Sequence, residues 1–350
     1  MRDNADTVSL AREKEAGKGN RMLGRIRGRA IIHRSALPLA CASVSAAAQT
    51  YSLVDLGTLG GTTSYGQGIN ASGQVTGYAY LGGNAVYHAY LYSNGGMTDL
   101  GTLGGANSIG YGINASGQVT GQAALAGTPT SSQVSHAFLG NAASLADLGS
   151  FGGSSASSSG NAINDSGQVT GDSYWPSGNP ETAFLYSNGT MTALLPLDGF
   201  NSVGQGINAS SQVTGFKFFA SGANHAALST GVTFIDLGTL GGTNSQGISI
   251  NASAQITGLA DIANDAAYHA FLYNGSGMID LGTLGGQYSK GNGINVSGQI
   301  VGNADVAGGL GCAFLYANGV MTDLNALVDA SDPLKATVTL TSGSGINDNG

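Results

Sequence analysis

Charge is scarce in this 350-residue chain: only 9% of its residues are Asp, Glu, Lys or Arg. Past Arg34 there is no arginine and only three lysines, Lys217, Lys290 and Lys335, against 16 acidic residues. Residues 50–350 thus carry a net charge of −13. A body with that balance repels phosphate backbones, which argues against nucleic acid as a partner and against anionic membrane surfaces. It holds one glutamate, Glu181, so paired carboxylates for glycosidic cleavage have little to draw on. Without arginine, a sialidase-type site has no fork to grip a substrate carboxylate, and no G-x-S-x-G nucleophile turn occurs. There are two cysteines, Cys41 and Cys312, too few for an internal disulfide once an N-terminal leader leaves, so packing must supply stability. No apolar run approaches the ~18 residues that span a bilayer, so no membrane insertion of the mature body is expected.

Glycine, by contrast, is abundant, with 59 residues, and the hydrophobic content is an ordinary 41%. The chain can bury a core and needs many tight turns around it. There is no glycine-every-third pattern, which removes collagen.

Residues 1–49 read as an export signal with a polar N-terminal extension. Nine of the 12 basic residues fall here, and RMLGRIRGRAIIHR leads into an apolar, small-residue stretch ending Ala46-Ala47-Ala48. That order fits a leader cut near Gln49 or Thr50 and implies a secreted or cell-surface protein, with Met22 the more usual start.

Residues 50–350 form one repeat domain. DLGTLGG occurs unchanged at Asp55, Asp99, Asp236 and Asp280, and as DLGSFGG at Asp147. GINASGQVTG and its variants place isoleucines at 69, 113, 163, 207, 250, 294 and 346, with spacings of 44, 50, 44, 43, 44 and 52. A third phrase, HAYLY or HAFLY, lies between them. Each unit reads as four short strands: a (Ser64–Asn70), b (Gln74–Ala79), c (His88–Ser93) and d (Gly96–Gly101). Asn70-Ala71-Ser72-Gly73 joins a to b as a tight turn. Ser211 and Ala254 stand at that glycine position in two units; either those turns are strained or φ > 0 is not needed there. No helical spacing is present.

Four strands in about 44 residues predict an all-β fold, a β-propeller of four-stranded blades, with a β-solenoid as the alternative. Strand-a glycines such as Gly66 and Gly68 suit the crowded axis of a propeller. Six complete blades run from Ser64 to Leu324. The first DLGTLGG is then an outer strand without a blade, and Lys335–Asn347 an inner strand without partners, so the two ends form a split seventh blade. Its middle strands are expected beyond Gly350, in a longer chain, leaving Tyr51–Leu56 an exposed edge here.

The three linked phrases resemble the HAF-repeat family of bacterial extracellular proteins over essentially all of Tyr51–Gly350. The resemblance implies a secreted or surface-exposed propeller and no particular activity. Thr182 and Cys312 replace the His of the third phrase, and Ala193 replaces the Asp of D-L-G.

No catalytic set emerges, and neither metal nor cofactor is expected. His88, His136, His225 and His269 share one repeat position; spread around an axis, they stand too far apart to share an ion at ~2.1 Å. Each is expected to bond a backbone group. The repeated Asp is expected to accept N–H bonds from the turn that follows it. What varies between units is the b–c loop, on the same face as the DLGTLGG joint, and variable loops on a rigid frame are where binding lives. The candidate binding residues there are Tyr174, Trp175, Phe218, Phe219, Asp261 and Asp265. These observations lead to the expectation of a monomeric, non-enzymatic scaffold that binds a macromolecule, either a protein or a surface glycan. The alternative is a secreted hydrolase or lyase acting on polysaccharide.

Overall fold

The computed structural model describes residues 9–10, 26–31, 50–127, 133–175, 181–194, 201–231, 233–309 and 311–350. The expected export signal lies outside the described residues except for Ser9–Leu10 and Ile26–Ile31.

In the first unit strand a is Gly60–Ile69, b Val75–Leu81, c Tyr87–Ser93 and d Gly96–Gly101, joined antiparallel in that order. Five further sheets repeat the arrangement, giving six antiparallel four-stranded blades. Their inner strands are Gly104–Ile113, Ser158–Ile163, Ser202–Ile207, Gly241–Ile250 and Gly285–Ile294. The fold is a β-propeller, and the solenoid alternative falls away. Besides strands, the described residues of the body include short 3-10 turns and one helical turn, Leu324–Leu327. No helix among the described residues is long and apolar enough to cross a membrane.

Each repeated phrase has a physical task. In DLGTLGG the Asp accepts the N–H two residues on (Asp99 Oδ1 from Gly101, 2.7 Å), and the Thr hydroxyl donates across the turn (Thr102 to Gly105 O, 2.9 Å). Its first Leu (Leu56, Leu100, Leu237, Leu281) is buried. A serine of strand a then ties the second to sixth blades each to the one before: Ser108 Oγ accepts from Ala89 N (2.8 Å) and donates to Gly101 O (2.5 Å), and Ser158, Ser202, Ser245 and Ser289 do the same. The core lies between blades rather than within them. Ala89, Leu91 and Leu100 of the first blade pack on Val119, Ala123 and Phe138 of the second. Burying each such Phe or Leu contributes about 1.5–3 kcal/mol.

The glycine of QVTG answers to sterics. Strand a bulges between Gly110 and Gly112, and a Cβ at Gly121 would fall on the Ile109 carbonyl oxygen and 2.9 Å from Phe138 Cε1. The strand-a glycines face the neighbouring blade, as their crowding predicted: a Cβ at Gly68 would stand 2.9 Å from Tyr111 O.

The asparagine of GIN closes the ring. Asn70 Oδ1 accepts from Ser72 and Gln74 N (3.1 and 3.0 Å), an Asx turn. Its Nδ2 donates to Gln74 Oε1 (2.7 Å) and to Asn114 O of the next unit (2.9 Å). The same donation passes from Asn114 to Asn164, Asn208, Asn251, Asn295 and Asn347, and Asn347 Nδ2 returns it to Asn70 O at 3.2 Å. Seven units therefore share one closed circle of hydrogen bonds.

The split seventh blade is present, with Val338–Gly345 innermost and Val54–Asp55 outermost in one sheet. Two features depart from expectation. The middle positions are taken by Ile26–Ile31, parallel to Val338–Gly345, and by Ser9–Leu10, where strands beyond Gly350 were expected. The exposed edge is also absent: Tyr51, Leu53 and Leu56 are buried. The stretch after Leu324 folds back over them. Tyr51 N donates to Leu327 O (2.9 Å), Tyr51 O accepts from Asp329 N (2.8 Å), and Leu53 N reaches Asp332 Oδ2 (2.7 Å). Tyr51 and Leu53 thereby join a cluster with Leu324, Val328, Val338 and Leu340.

Ser211 and Ala254 adopt φ of +61° and +58°, so their turns do carry left-handed strain. Ala254→Gly is expected to raise stability by roughly 0.5–1 kcal/mol in a urea titration, the relief of strain exceeding glycine's extra unfolded-state freedom.

Candidate functional site at the channel mouth

The seven inner strands enclose a channel of about 490 Å³. Its floor is a collar of the GIN isoleucines, from Ile69 round to Ile346, and its wall is the residue two before each of them, or a close neighbour. That wall position is not constant: it holds Gln67, Tyr111, Asn161, Gln205, Ile248, Asn292 and Ser344, with Lys290 alongside. A repeat whose frame is fixed and whose channel wall varies has its individuality inside the ring.

The strongest departure from the repeat lies beside this wall in the third blade. Asp172, on strand b (Val169–Ser173), occupies the position held by Tyr78, Gln122, Phe216, Leu259 and Asn303 in the other blades. Glu181 immediately precedes strand c (Thr182–Ser187), and the pairing of Ser173 with Thr182 brings the two carboxyls together. Burial pushes Asp172 up to about 7, the Glu181 charge and its hydrogen bond add to the rise, and Asn161 Nδ2, 2.9 Å from Oδ1, opposes it. Burial and then Glu181, which accepts from its hydroxyl at 3.0 Å, raise Tyr174 to about 12. Tyr111, on the wall of the second blade, is likewise raised to about 12, first by burial and then by Asp172, Tyr87 and Tyr78. Beyond Tyr111 stand four tyrosines of the first blade: Tyr65 stacks on Tyr78 (4.7 Å), and Tyr87 contacts Tyr78 (5.2 Å) and Tyr80 (5.5 Å).

The repeated histidines do not bond backbone groups as their principal contact, as was expected. Each Nδ1 meets both carboxylate oxygens of the DLG Asp eleven residues on, in the pairs His88–Asp99, His136–Asp147, His225–Asp236 and His269–Asp280, at 2.8–3.0 Å. The geometry is that of a base and its orienting acid, but among the described residues no hydroxyl or thiol completes it, and the one contact at Nε2 is His136 with Gly153 O (3.3 Å). The sequence carries only a partial sign of the pairing: the third unit loses both members together, as Thr182 and Ala193, whereas the sixth keeps Asp323 although Cys312 replaces the His. The expected role of the Asp in capping the next turn holds beside this one.

The b–c loops and the DLGTLGG joints do share a face: Asn84 Oδ1 accepts from Thr62 N (2.8 Å). Of the six candidate binding residues, only Tyr174 belongs to the carboxylate cluster, and it is 43% exposed. Trp175 stacks on Phe151 (4.7 Å) and donates to Thr182 Oγ1 (3.1 Å). Phe218 packs edge-on to Phe216, and Phe219 to His225 with Lys217 Nζ over its ring at 4.4 Å. Asp261 and Asp265 are engaged within their own blade, by Asn244 N and by Thr243 N and Oγ1. Among the described residues, no group of three or more His, Cys, Asp or Glu could hold a metal ion.

No family model matches the chain, and no curated protein matches it. Among solved structures it is similar to the β-propeller domain of the trilobed protease from Pyrococcus furiosus, with a TM-score of 0.54 and 9% identity, over 77% of this chain and 83% of that one. It is also similar to the acylaminoacyl peptidase of Pyrococcus horikoshii (0.48, 9%, 74% and 44%) and to a puromycin hydrolase (0.49, 12%, 87% and 51%). This chain thus spans about half the length of the latter two. The likeness shows the fold. It also corrects the expectation of a non-enzymatic scaffold: propellers of this shape occur as domains of peptidases, so a ring without a catalytic set does not make its protein non-enzymatic.

Proposed function

We propose that this chain is the propeller of a peptidase-related protein, and that its channel mouth takes the peptide while chemistry belongs to residues outside the ring. The observation that carries the reading is the fold shared with the propeller domain of a protease over 83% of that domain. Two features support it. Residues that vary from unit to unit line one channel of about 490 Å³, and among the described residues no hydroxyl or thiol meets a ring nitrogen of the His–Asp pairs. The reading is tested by photo-crosslinking with short benzophenone-bearing peptides and mapping the adducts by mass spectrometry. Adducts are expected on channel-wall residues such as Gln67, Tyr111 and Gln205, competed by unlabelled peptide and not by polysaccharide. Adducts scattered over the outer rims, or competed equally by polysaccharide, would overturn it.

A further inference from the structure

The GIN isoleucines stand between two cavities. All seven line the cavity of about 490 Å³, and all but Ile294 also line a second one of about 280 Å³ on the far side, among residues that follow them such as Asn70, Ala115 and Asn164. The collar is therefore a partition between two chambers. Its diameter is fixed. Each isoleucine is followed by an asparagine of the closed circle, whose bonds run from unit to unit at 2.9–3.3 Å. Beside it the inner strands meet with no side chain between them: a Cβ at Gly206 would stand 3.0 Å from Ile248 O, and one at Gly293 3.1 Å from Gly345 Cα. Such a partition offers apolar surface to whatever fills the upper chamber, and covering that surface is favourable.

Two further observations bear on what the chamber takes. The first is charge. The body holds 16 acidic residues, yet among the described residues none lines the upper chamber, whose one charged lining residue is Lys290. Asp165 and Asp348 line the chamber below the collar. A lining with one ammonium and no carboxylate suits an anion and disfavours an amino terminus. The second is an orphaned hydroxyl. Ser344 Oγ is buried and has no hydrogen-bond partner among the described residues, in a lining that also carries the amides of Gln67, Asn161, Gln205 and Asn292. A buried hydroxyl left so is costly, and a peptide group seated against the wall satisfies it.

We propose that the upper chamber binds the carboxyl-terminal end of a peptide end-on. The last side chain is apolar and rests on the isoleucine collar, and the terminal carboxylate meets Lys290 and the wall amides. The peptide enters and leaves by one face and does not thread the ring. That the ligand is a peptide rests on the reading given above; that it is an apolar group with a carboxylate beside it rests on the two chambers and their linings.

The test is calorimetric titration of the full chain with acetyl-Ala-Ala-Leu, its carboxyl amide, acetyl-Ala-Ala-Asp, Leu-Ala-Ala amide, and 4-methylpentanoate, which is the leucine side chain with a carboxylate and no peptide bond. Acetyl-Ala-Ala-Leu is expected to bind about tenfold or more tightly than each other peptide, the worth of one charge-assisted bond or one buried apolar side chain. Lys290→Gln is expected to remove about tenfold from acetyl-Ala-Ala-Leu and to leave its amide unchanged. Ile113→Ala is expected to weaken both peptides that end in Leu by about threefold to tenfold. Unchanged circular dichroism establishes that the variants fold, and Lys290, half-buried on the wall, carries the test if Ile113→Ala does not. A benzophenone side chain on the residue before Leu is expected to mark the upper chamber and none of Ala71, Asp165 and Asp348; adducts on those three would overturn end-on binding. If the amide or Leu-Ala-Ala amide binds as well as acetyl-Ala-Ala-Leu, or Lys290→Gln binds it unchanged, the carboxyl-end site is overturned while the peptide reading survives. If 4-methylpentanoate binds with sensitivity to Lys290→Gln and no peptide does, the site stands and its peptide occupant is overturned. Silence toward all five ligands overturns the inference.

Discussion

Alanine at Gly258 is expected to prevent cooperative folding, whereas alanine at Gly57 is expected to be tolerated. Both glycines belong to repeated phrases, yet they are glycine for different reasons. Gly57 has φ of +76° and open space where a Cβ would go, so alanine there incurs only left-handed strain, about 1–2 kcal/mol. Gly258 has no such φ, but a Cβ would land on the Gln246 carbonyl oxygen and 3.1 Å from Phe271 Cε1, a ring with no solvent exposure. Relief requires strands a and b of the fifth blade to separate, or the bulge at Gly247–Ser249 to be remade. Overpacking against backbone in a core with no slack is among the few single changes that exceed 4 kcal/mol. Urea unfolding followed by circular dichroism distinguishes the two. Equal midpoints for Gly57→Ala and Gly258→Ala would show that strand b does not meet strand a in this register.

The architecture was legible because the same instructions are written six times. Short β-rich runs, glycine-bearing turns and a period near 44 residues fix blade, strand order and the split ring. The joints between units were less legible. The Asn70-to-Asn114 bond joins residues one whole repeat apart, and a pattern identical in every unit does not reveal that its members touch each other. The burial of Tyr51 is not legible in the repeat because its cover, Leu324–Leu327 and the stretch to Val338, falls outside the repeat and follows no period. The candidate site lay at the opposite extreme. Glu181 was visible as a solitary glutamate, but its partner Asp172 became one only through the pairing of Ser173 with Thr182 across a loop of irregular length. Loop variability alone does not mark a binding residue: Asp261 and Asp265 vary from unit to unit, and each accepts hydrogen bonds within its own blade.

The circle of asparagines is expected to be worth more at one point than at the others. Asn208 makes four bonds: to Gln212 Oε1 (2.8 Å), to Asn251 O (3.1 Å), and from Ser210 and Gln212 N (both 3.0 Å). Asn208→Ala removes them in a buried setting and leaves the Asn251 carbonyl short of its partner, a cost of about 3 kcal/mol or more. The fourth and fifth blades nevertheless stay joined through the chain at Asp236–Gly242. Asn347 makes fewer contacts, donating to Asn70 O at 3.2 Å and accepting from Asn349 N at 3.1 Å, so Asn347→Ala is expected to cost less, about 1–3 kcal/mol. Its effect should be more local, because the joint at Asp55–Gly61 reaches Gly60–Ile69 from the outer strand Val54–Asp55, which is not continuous in the chain with Val338–Gly345. Hydrogen exchange should show amides of these two strands losing protection ahead of the remaining blades in Asn347→Ala, and a uniform loss around the ring in Asn208→Ala. If Asn347→Ala lowers protection uniformly as well, the seventh unit is held by its packing on Leu324 and Val301 rather than by the circle, and the bond from Asn347 to Asn70 is not the clasp of the ring.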